Sequence, residues 1–455
     1  MDQKTPIQFE ELPVPAACTA ECRRQKHSRK RRAFRAFGLS ALLLWLGARY
    51  LRFASPMVFR DPGSPWPFPS DVTVDHCAEW SDPVETEGAE HSLYSADASL
   101  ELPASADALF LISRSLHHRG GVFSTGNVNY LQSDEVTDAV KVDITAFFWR
   151  EEHLAASKAC LLRRGGDQTG VGIFTNWDEK RRREEHERLR LEVTVAFPRT
   201  EDNSALAINN FSSDLEIFGQ TLADLSNVNF KTLSLKAALS AIRAESLFAG
   251  NATIRTSIGP IRIQSLIGET AVIGTSLGAI EGTFNSSKSL TLSTSNGAII
   301  VEVNLFNNDE DDAAKLKLLT SNGRIESRIN LESENSGSAF NITARTSHGP
   351  IDLEVVAAPL ASNVTLGATT SLGSLSAKLP TTFEGMFDAS TSLSSVEVKF
   401  DENAEDPSGK GRKRSLDHGK VGKASSHGHV SWSEEGKTRG SVTARSSLGP
   451  VSLEF

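Results

Sequence analysis

The segments Thr256-Ser-Ile-Gly-Pro-Ile261, Thr275-Ser-Leu-Gly-Ala-Ile280 and Thr294-Ser-Asn-Gly-Ala-Ile299 follow one another at intervals of 19 residues. We call this pattern the cassette and its first residue the reference position. Short repeats of fixed period are typical of solenoids, in which each copy forms one layer of a stack. Ten copies occur, with reference positions Ala237, Thr256, Thr275, Thr294, Thr320, Thr346, Thr370, Thr391, Ser425 and Ser446.

Two positions of the cassette predict a buried core. Five residues after the reference every copy is aliphatic, and two residues before it every copy except the ninth, which has Lys423, is apolar. Within one copy the apolar residues alternate, as in Leu290 and Leu292 before the turn and Ile299 and Val301 after it. Alternation with a period of two is typical of β-strands with one face inward.

Eight of the ten copies have glycine three residues after the reference. We expect these glycines to form tight turns that need a positive φ angle. Each copy then reads strand, turn, strand, with the Thr and Ser of the cassette bonded to the backbone of neighbouring rungs. The candidate turn glycines are Gly259, Gly278, Gly297, Gly323, Gly349, Gly373, Gly428 and Gly449.

These patterns predict an all-β chain with several regions. Residues 201–455 are expected to form a parallel β-helix-like solenoid of ten rungs, with loop insertions near 304–315 and 401–424. Residues 72–200, with short apolar alternations, predict a small β-rich domain. Residues 56–71 are rich in proline and predict an extended linker.

Residues 36–55 predict a transmembrane signal anchor. This stretch is apolar up to Ala48 and follows a basic tail, residues 1–35, with a cluster of Arg and Lys. Twenty residues are just enough for a helix to cross a bilayer, and the basic tail favours a cytosolic N-terminus. The bulk of the chain would then be lumenal or extracellular. A cleaved signal peptide and a peripheral or buried helix are the alternatives.

Two further features fit an oxidising compartment. Cys77 and Cys160 are the only cysteines on the expected outer side, and we predict a disulfide between them; two unrelated buried thiols are the alternative. Five glycosylation sequons also lie on that side, but a chain this rich in Asn, Ser and Thr has about that many by chance. They begin at Asn210, Asn251, Asn285, Asn341 and Asn363.

Composition and motifs argue against several functions. The net charge of −9 disfavours a nucleic-acid binder. The pairs His427/His429 and His117/His118 lack a third ligand at a recognisable spacing, and the acidic run 309–312 lacks the α/β core of a glycosyltransferase. We therefore predict no cofactor, no metal site and no catalytic residue.

An enzyme remains the alternative, because solenoids can carry carboxylates on an outer face. Six residues after the reference the chain has acidic residues in four copies, Glu281, Glu326, Asp352 and Glu397. Glycoside chemistry needs two suitably placed carboxylates. This alternative is a polysaccharide lyase or hydrolase on the flank of the solenoid.

The cassettes TSNG, TSHGPI and TSLG with alternating aliphatic strands resemble the putative-adhesin domain family of unknown function over about residues 205–455. Upstream segments, including His76-Cys-Ala-Glu-Trp80, look like those that precede the repeat in fungal single-pass membrane proteins. The resemblance implies a stacked β fold and no assigned activity. From the sequence we predict a non-enzymatic, membrane-anchored scaffold that contacts protein or cell-wall glycan.

Overall fold

A computed structural model describes residues 66–86, 93–116, 124–176, 189–419 and 422–455. The chain divides into two units, Met1–Phe59 and Arg60–Phe455, and every described residue belongs to the second. Apart from one short α-helix, α1 (Glu151–Ala155), and a 3-10 turn at Glu435–Thr438, the regular elements of these residues are β-strands. The all-β prediction is confirmed.

The predicted tail, anchor and the first part of the linker, residues 1–65, lie outside the described residues. In the part of the chain that the structure does describe, no helix has the length and apolar character needed to cross a bilayer.

The region upstream of the repeats contains nine strands. They are β1 (Thr73–Cys77), β2 (Val84–Glu85), β3 (Tyr94–Pro103), β4 (Ala108–Leu116), β5 (Ser124–Val136), β6 (Ala139–Phe148), β7 (Ser157–Arg164), β8 (Gln168–Asn176) and β9 (Leu189–Arg199).

The long strands of the early repeats come next. They are β10 (Leu206–Leu215), β11 (Phe218–Ala237), β12 (Ile242–Arg255), β13 (Ile261–Gly274) and β14 (Ile280–Ser293).

The later repeats have shorter strands separated by loops on one side and cassette turns on the other. They are β15 (Ile299–Phe306), β16 (Ala314–Leu319), β17 (Ile325–Glu332), β18 (Ala339–Arg345), β19 (Ile351–Ala357), β20 (Asn363–Thr370), β21 (Leu375–Lys378), β22 (Gly385–Thr391), β23 (Val396–Lys399), β24 (Ser415–His418), β25 (Ser425–Ser431), β26 (Gly440–Ser446) and β27 (Val451–Glu454).

Two series of parallel strands run through the repeats. The entry series contains the strands that lead into each cassette turn: the second halves of β11 to β14, then β16, β18, β20, β26 and β22. The exit series contains those that leave it: the first halves of β12 to β14, then β15, β17, β19, β21, β27 and β23. This parallel stacking is solenoid-like.

The two predicted core columns are in register. On the exit series, Ile261 pairs with Ile280 and Ile280 with Ile299, and on the entry series Ile273 pairs with Leu292. All five side chains are fully buried in one hydrophobic cluster, which also contains Phe455. The alternating pattern therefore predicted the inner face of the stack correctly.

The number and order of the rungs differ from the prediction. The tenth cassette, at Ser446, lies between the seventh and the eighth, because β26 pairs with both β20 and β22, and β27 with both β21 and β23. The ninth cassette forms no rung. Its strand β25 runs antiparallel to β22 and β24 and covers the end of the entry series. Lys423, which is exposed, stands where other copies have a buried apolar residue, so this copy cannot supply the inner column.

The cassette threonine bonds to two backbone groups. The Thr320 hydroxyl donates to the carbonyl of Gly297 in the preceding rung at 3.2 Å and accepts from the amide of Gly323 in its own turn at 3.1 Å. Thr294 and Thr346 repeat this arrangement. The hydroxyl column thus satisfies buried backbone groups at each turn.

The reason for the cassette glycines is not the one we predicted. None of the rung glycines has a positive φ angle; in the described residues positive values occur at other glycines, such as Gly282 and Gly337. A Cβ added to Gly323 would instead overlap the carbonyl oxygen of Gly297, and the same overlap recurs along the column. Glycine is needed because the turns stack too closely for a side chain. Gly428 lies within β25, not in a cassette turn.

The upstream strands join the same stack. β4 pairs in parallel with β10 and with β8, and β5 pairs in parallel with β11 and with β9. Most of their buried apolar residues belong to the cluster that runs through the repeats, whereas Phe110, Ile112 and Phe174 form a second cluster with Cys160 and Leu162. Within the described residues, neither the pairing nor the core breaks at the boundary expected at residue 200.

Candidate functional site: the turn ridge

The cassette turns form a continuous ridge along the stack. Their backbones are hydrogen-bonded from rung to rung: the amide of Leu277 donates to the carbonyl of Ser257 at 3.1 Å, and that of Leu372 to Ser347 at 3.0 Å. The residue two places after each reference therefore projects at the same point of every turn. We call this column the turn ridge.

The turn ridge has a regular pattern of polarity. In spatial order its residues are Leu239, Ile258, Leu277, Asn296, Asn322, His348, Leu372, Leu448 and Leu393. All nine are exposed. Leu239, Ile258 and Leu277 at one end and Leu372 and Leu448 near the other are each about half exposed, and Leu393 is 78% exposed. Two apolar triplets thus flank one polar triplet.

Charged residues are almost absent from the four residues that follow each reference position, which form the turn of that rung. Serine or alanine precedes the ridge residue in every one of these turns, and Arg324 is the only Lys, Arg, Asp or Glu in the nine turns. Its guanidinium pairs with Glu326 of β17 at 3.7 Å. In a chain with 23% charged residues, this depletion resembles the centre of a protein interface.

A groove of about 380 Å³ lies at the end of the entry series, lined by residues of β22, β24, β25 and β26. His427 stands opposite Asp388, and His429 opposite Met386, across the β22/β25 pair. The Nε2 atom of His429 lies 3.2 Å from a carboxylate oxygen of Asp417. The structure thus places the predicted histidine pair beside two carboxylates, yet no group of three His, Cys, Asp or Glu among the described residues is arranged to hold a metal ion. His117 and His118 lie outside the described residues.

The acidic run forms the loop between β15 and β16 and lines a groove of about 320 Å³. The Asp309 carboxylate accepts hydrogen bonds from the amides of Asp311 and Asp312, which hold its pKa below the usual value. Asp312 pairs with Lys315 at 3.2 Å. These two carboxylates of the run are therefore engaged within the loop or with its flank.

The outward carboxylates of the exit series are neighbours in one place. Glu326 pairs in register with Asp352, while Ile300 and Ser376 occupy the adjacent rungs. Both acidic side chains are exposed.

Four of the five sequon asparagines, Asn210, Asn251, Asn341 and Asn363, lie exposed on β10, β12, β18 and β20 respectively. The fifth, Asn285, is half-buried, and its side-chain Oδ1 accepts a hydrogen bond from the side-chain amide of Asn304 at 2.6 Å. Cys77 and Cys160 stand opposite each other in the β1/β7 pair, and a disulfide joins them.

Buried charge is concentrated at the end of the stack. Glu384 accepts a hydrogen bond from the amide of Trp432 and forms an ion pair with Arg439. Arg414 packs against the rings of Phe400 and Trp432, and burial lowers its pKa to about 10. These contacts tie the loop after β23 to the antiparallel strands that cover the stack.

A second buried polar group lies near the start of the repeats. The Tyr130 hydroxyl donates to Ser213 at 2.8 Å and contacts Gln220 at 3.0 Å, and burial raises its pKa. Ser213 and Gln220 occupy the rung before the first cassette, in register with the core columns. They stand where the next rung has Leu235 and Ile242, and both are buried.

The sequence prediction did not single out the turn ridge. It treated the third cassette residue as variable, although the sequence already shows leucine or isoleucine there in six copies. The symmetry of the pattern is visible only after the ninth cassette, with His427, is removed from the column, because it forms no rung.

Most of the turn ridge lies in a segment that matches a protein-family model. Residues 251–452 match the family model described as Domain of unknown function (DUF7330). The DUF7330 segment contains eight of the nine ridge residues; Leu239 precedes it. No curated protein matches the chain.

Three solved structures are similar to parts of the chain. A putative cell adhesion protein from Clostridium sporogenes has 8% identity and a TM-score of 0.18, over 79% of this chain and 99% of that one. A putative adhesin from Bacteroides fragilis has 10% identity and a TM-score of 0.28, over 56% and 96%. A putative lipid binding protein from Parabacteroides distasonis has 10% identity and a TM-score of 0.22, over 82% and 99%.

Proposed function

We propose that this chain is a non-enzymatic scaffold, anchored in a membrane by residues 36–55, with its stacked strands in the lumen or outside the cell. The turn ridge is the observation that carries the proposal. Exposed aliphatic side chains in register over several rungs are costly in water, and contiguous patches of this kind mark contact surfaces. The ridge would serve as the contact surface for protein, and the adjoining polar faces for cell-wall glycan.

Burial does not explain the leucines of the ridge. Stacking of the turns requires the buried threonine and the closely packed glycine on either side, but it places no such demand on the residue that projects between them. Asn296, Asn322 and His348 occupy the same position in the middle rungs of the same stack. The apolar residues at both ends therefore favour a role outside the core.

Two observations support the anchored topology, one from the sequence and one from a disulfide bond in the structure. The apolar stretch follows a basic cluster, which favours a cytosolic N-terminus. The Cys77–Cys160 disulfide fits an oxidising compartment, where such bonds persist.

Protease treatment of sealed vesicles tests this topology. A tag after Phe455 should be protected in vesicles made from the secretory membranes of cells that express the full chain, and should be digested once detergent opens them. A cytosolic marker protein bound to the outer surface serves as the control. Digestion of the tag in intact vesicles would place the stack in the cytosol and contradict the proposed topology.

A carbohydrate-active enzyme is the second candidate, because Glu326 and Asp352 are register neighbours on the outer face. We expect the full chain to release no product from a panel of polysaccharides, since both carboxylates are exposed on an open face and glycoside chemistry needs them on opposite sides of a bound sugar. Product analysis of the wild type beside Glu326→Gln and Asp352→Asn provides the measurement. Turnover that either substitution abolishes would favour the enzyme over the scaffold.

A further inference from the structure

The turn ridge has the same order of aliphatic and polar residues from either end. Its nine residues are three aliphatic, three polar and three aliphatic, with Asn322 at the centre. In a two-fold symmetric contact, each residue meets its counterpart from the other end of the column. Such a contact would place Leu277 against Leu372, Ile258 against Leu448 and Leu239 against Leu393.

We propose that the turn ridge binds a second copy of this chain in antiparallel orientation, with the two-fold axis beside Asn322. The proposal rests on the proposed function and names the partner of the ridge. A parallel second copy in register would match any order of residues with itself and would need no symmetry along the column. The antiparallel copy matches each apolar triplet with the other and the polar triplet with itself only because the ridge has the same order of residues from both ends.

The polar centre suits such a contact. Asn322 donates a side-chain hydrogen bond to Asn296 of the neighbouring turn at 2.5 Å. An amide has both donors and an acceptor, so two copies of Asn322 can pair across an axis, and Asn296 can pair with His348. Arg324 lies next to the axis, but its ion pair with Glu326 draws the charge toward the exit-series face.

The dimensions of the ridge are also sufficient. Eight steps of about 4.8 Å give a length of about 38 Å. With a width of about 15 Å for a four-residue turn, the ridge offers on the order of 600 Å² per copy, the lower bound for specific interfaces. A larger partner is not required to cover it.

Cysteine cross-linking of the full chain in detergent tests the orientation. Cys18 and Cys22 are first replaced by serine, so that only the introduced thiols are free. Asn322→Cys alone should give a dimer-sized band on non-reducing gels that is lost on reduction, because the two copies of this position meet at the axis. Leu239→Cys alone should not, because its two copies lie about 38 Å apart, too far for a disulfide.

A mixture of Leu239→Cys and Leu393→Cys chains should restore the cross-link, since these positions face each other between copies. Within one chain they stand at opposite ends of the ridge, so the bond can form only between chains. Cross-linking of Leu239→Cys alone as efficiently as Asn322→Cys would overturn the antiparallel arrangement.

Sedimentation velocity of the same full chain in detergent gives an independent measurement. The wild type should sediment as a dimer and Leu372→Lys as a monomer, because a lysine there would meet the apolar Leu277 of the other copy. Leu360→Lys is the matched control: Leu360 is as exposed, 45% against 46%, but lies off the ridge. A monomeric wild type that also fails to cross-link through Asn322→Cys would refute the proposal, and leaves the results of the protease and polysaccharide experiments unaffected.

Discussion

Replacement of Gly323 by alanine is expected to lower the free energy of unfolding by about 3–5 kcal/mol, in the range of severe core changes. The added methyl group would overlap the carbonyl oxygen of Gly297 in the preceding turn. That carbonyl also accepts the hydrogen bond of Thr320, so relief of the overlap must separate two turns and weaken the hydroxyl column. Urea unfolding of the full chain, followed by far-UV circular dichroism, measures the change.

Gly367→Ala is the matched control for this substitution. Gly367 lies in β20 of the same stack, but nothing approaches its added Cβ within 4 Å. We expect the urea midpoint to stay within error of the wild type or to rise slightly, because alanine restricts the unfolded chain more than glycine does. Equal losses at the two glycines would mean that close stacking of the turns is not the reason for the cassette glycine.

The second large effect is expected for Ile299→Asp. Ile299 is fully buried in the exit-series column between Ile280 and Ile325. A carboxylate there has no described partner, and burial of an unpaired charge together with the loss of apolar contacts costs on the order of 4 kcal/mol. The melting temperature should fall by several degrees or the chain should fail to fold.

The adjacent residue provides the control. Ile300 points to the outer face and is half-buried between Glu281 and Glu326. Ile300→Asp should cost about 1 kcal/mol or less, from repulsion between neighbouring carboxylates. If Ile299→Asp left the melting temperature unchanged, or if Ile300→Asp were the more damaging of the two, the assigned inner and outer faces would be reversed.

The sequence predicts the inner columns because their chemistry is local. Alternation in segments such as 290–303 identifies which side chains of a strand face inward without any knowledge of its neighbours. A fixed interval between cassettes then sets the register of one rung on the next. Both core columns and the bonding of the cassette threonine could therefore be predicted.

The order of the last rungs could not be predicted, because the cassettes are nearly equivalent. The segments Thr391-Ser-Leu393 and Ser446-Ser-Leu448 are alike, and only the next residue, Ser394 or Gly449, distinguishes the two turns that could stack on the turn of Thr370. What decides between them is packing around the antiparallel cover, including the buried Glu384 and its contacts with Trp432 and Arg439. Such long-range contacts leave no periodic signal.

The turn ridge was not predicted either, because the sequence does not show which copies of the cassette are neighbours in space. A variable position in a repeat does not indicate a surface until the spatial order of the copies is known. The cassette glycine shows the converse: its position was predicted correctly and its cause was not, since a sequence records that glycine is required but not whether a φ angle or a neighbouring backbone requires it.

The internal position of β26 and β27 has a consequence for biosynthesis. These strands leave the ribosome after β22 and β23, yet they lie between β20/β21 and β22/β23. The nascent chain must hold β22 and β23 off the stack, or release them again, until β26 and β27 have been synthesised. A premature stop codon before Gly440 would leave the edge of β20 and β21 unpaired, and such an edge is a site for aggregation. The stack therefore cannot assemble in the order in which its strands are made, because β22 and β23 are added after β26 and β27.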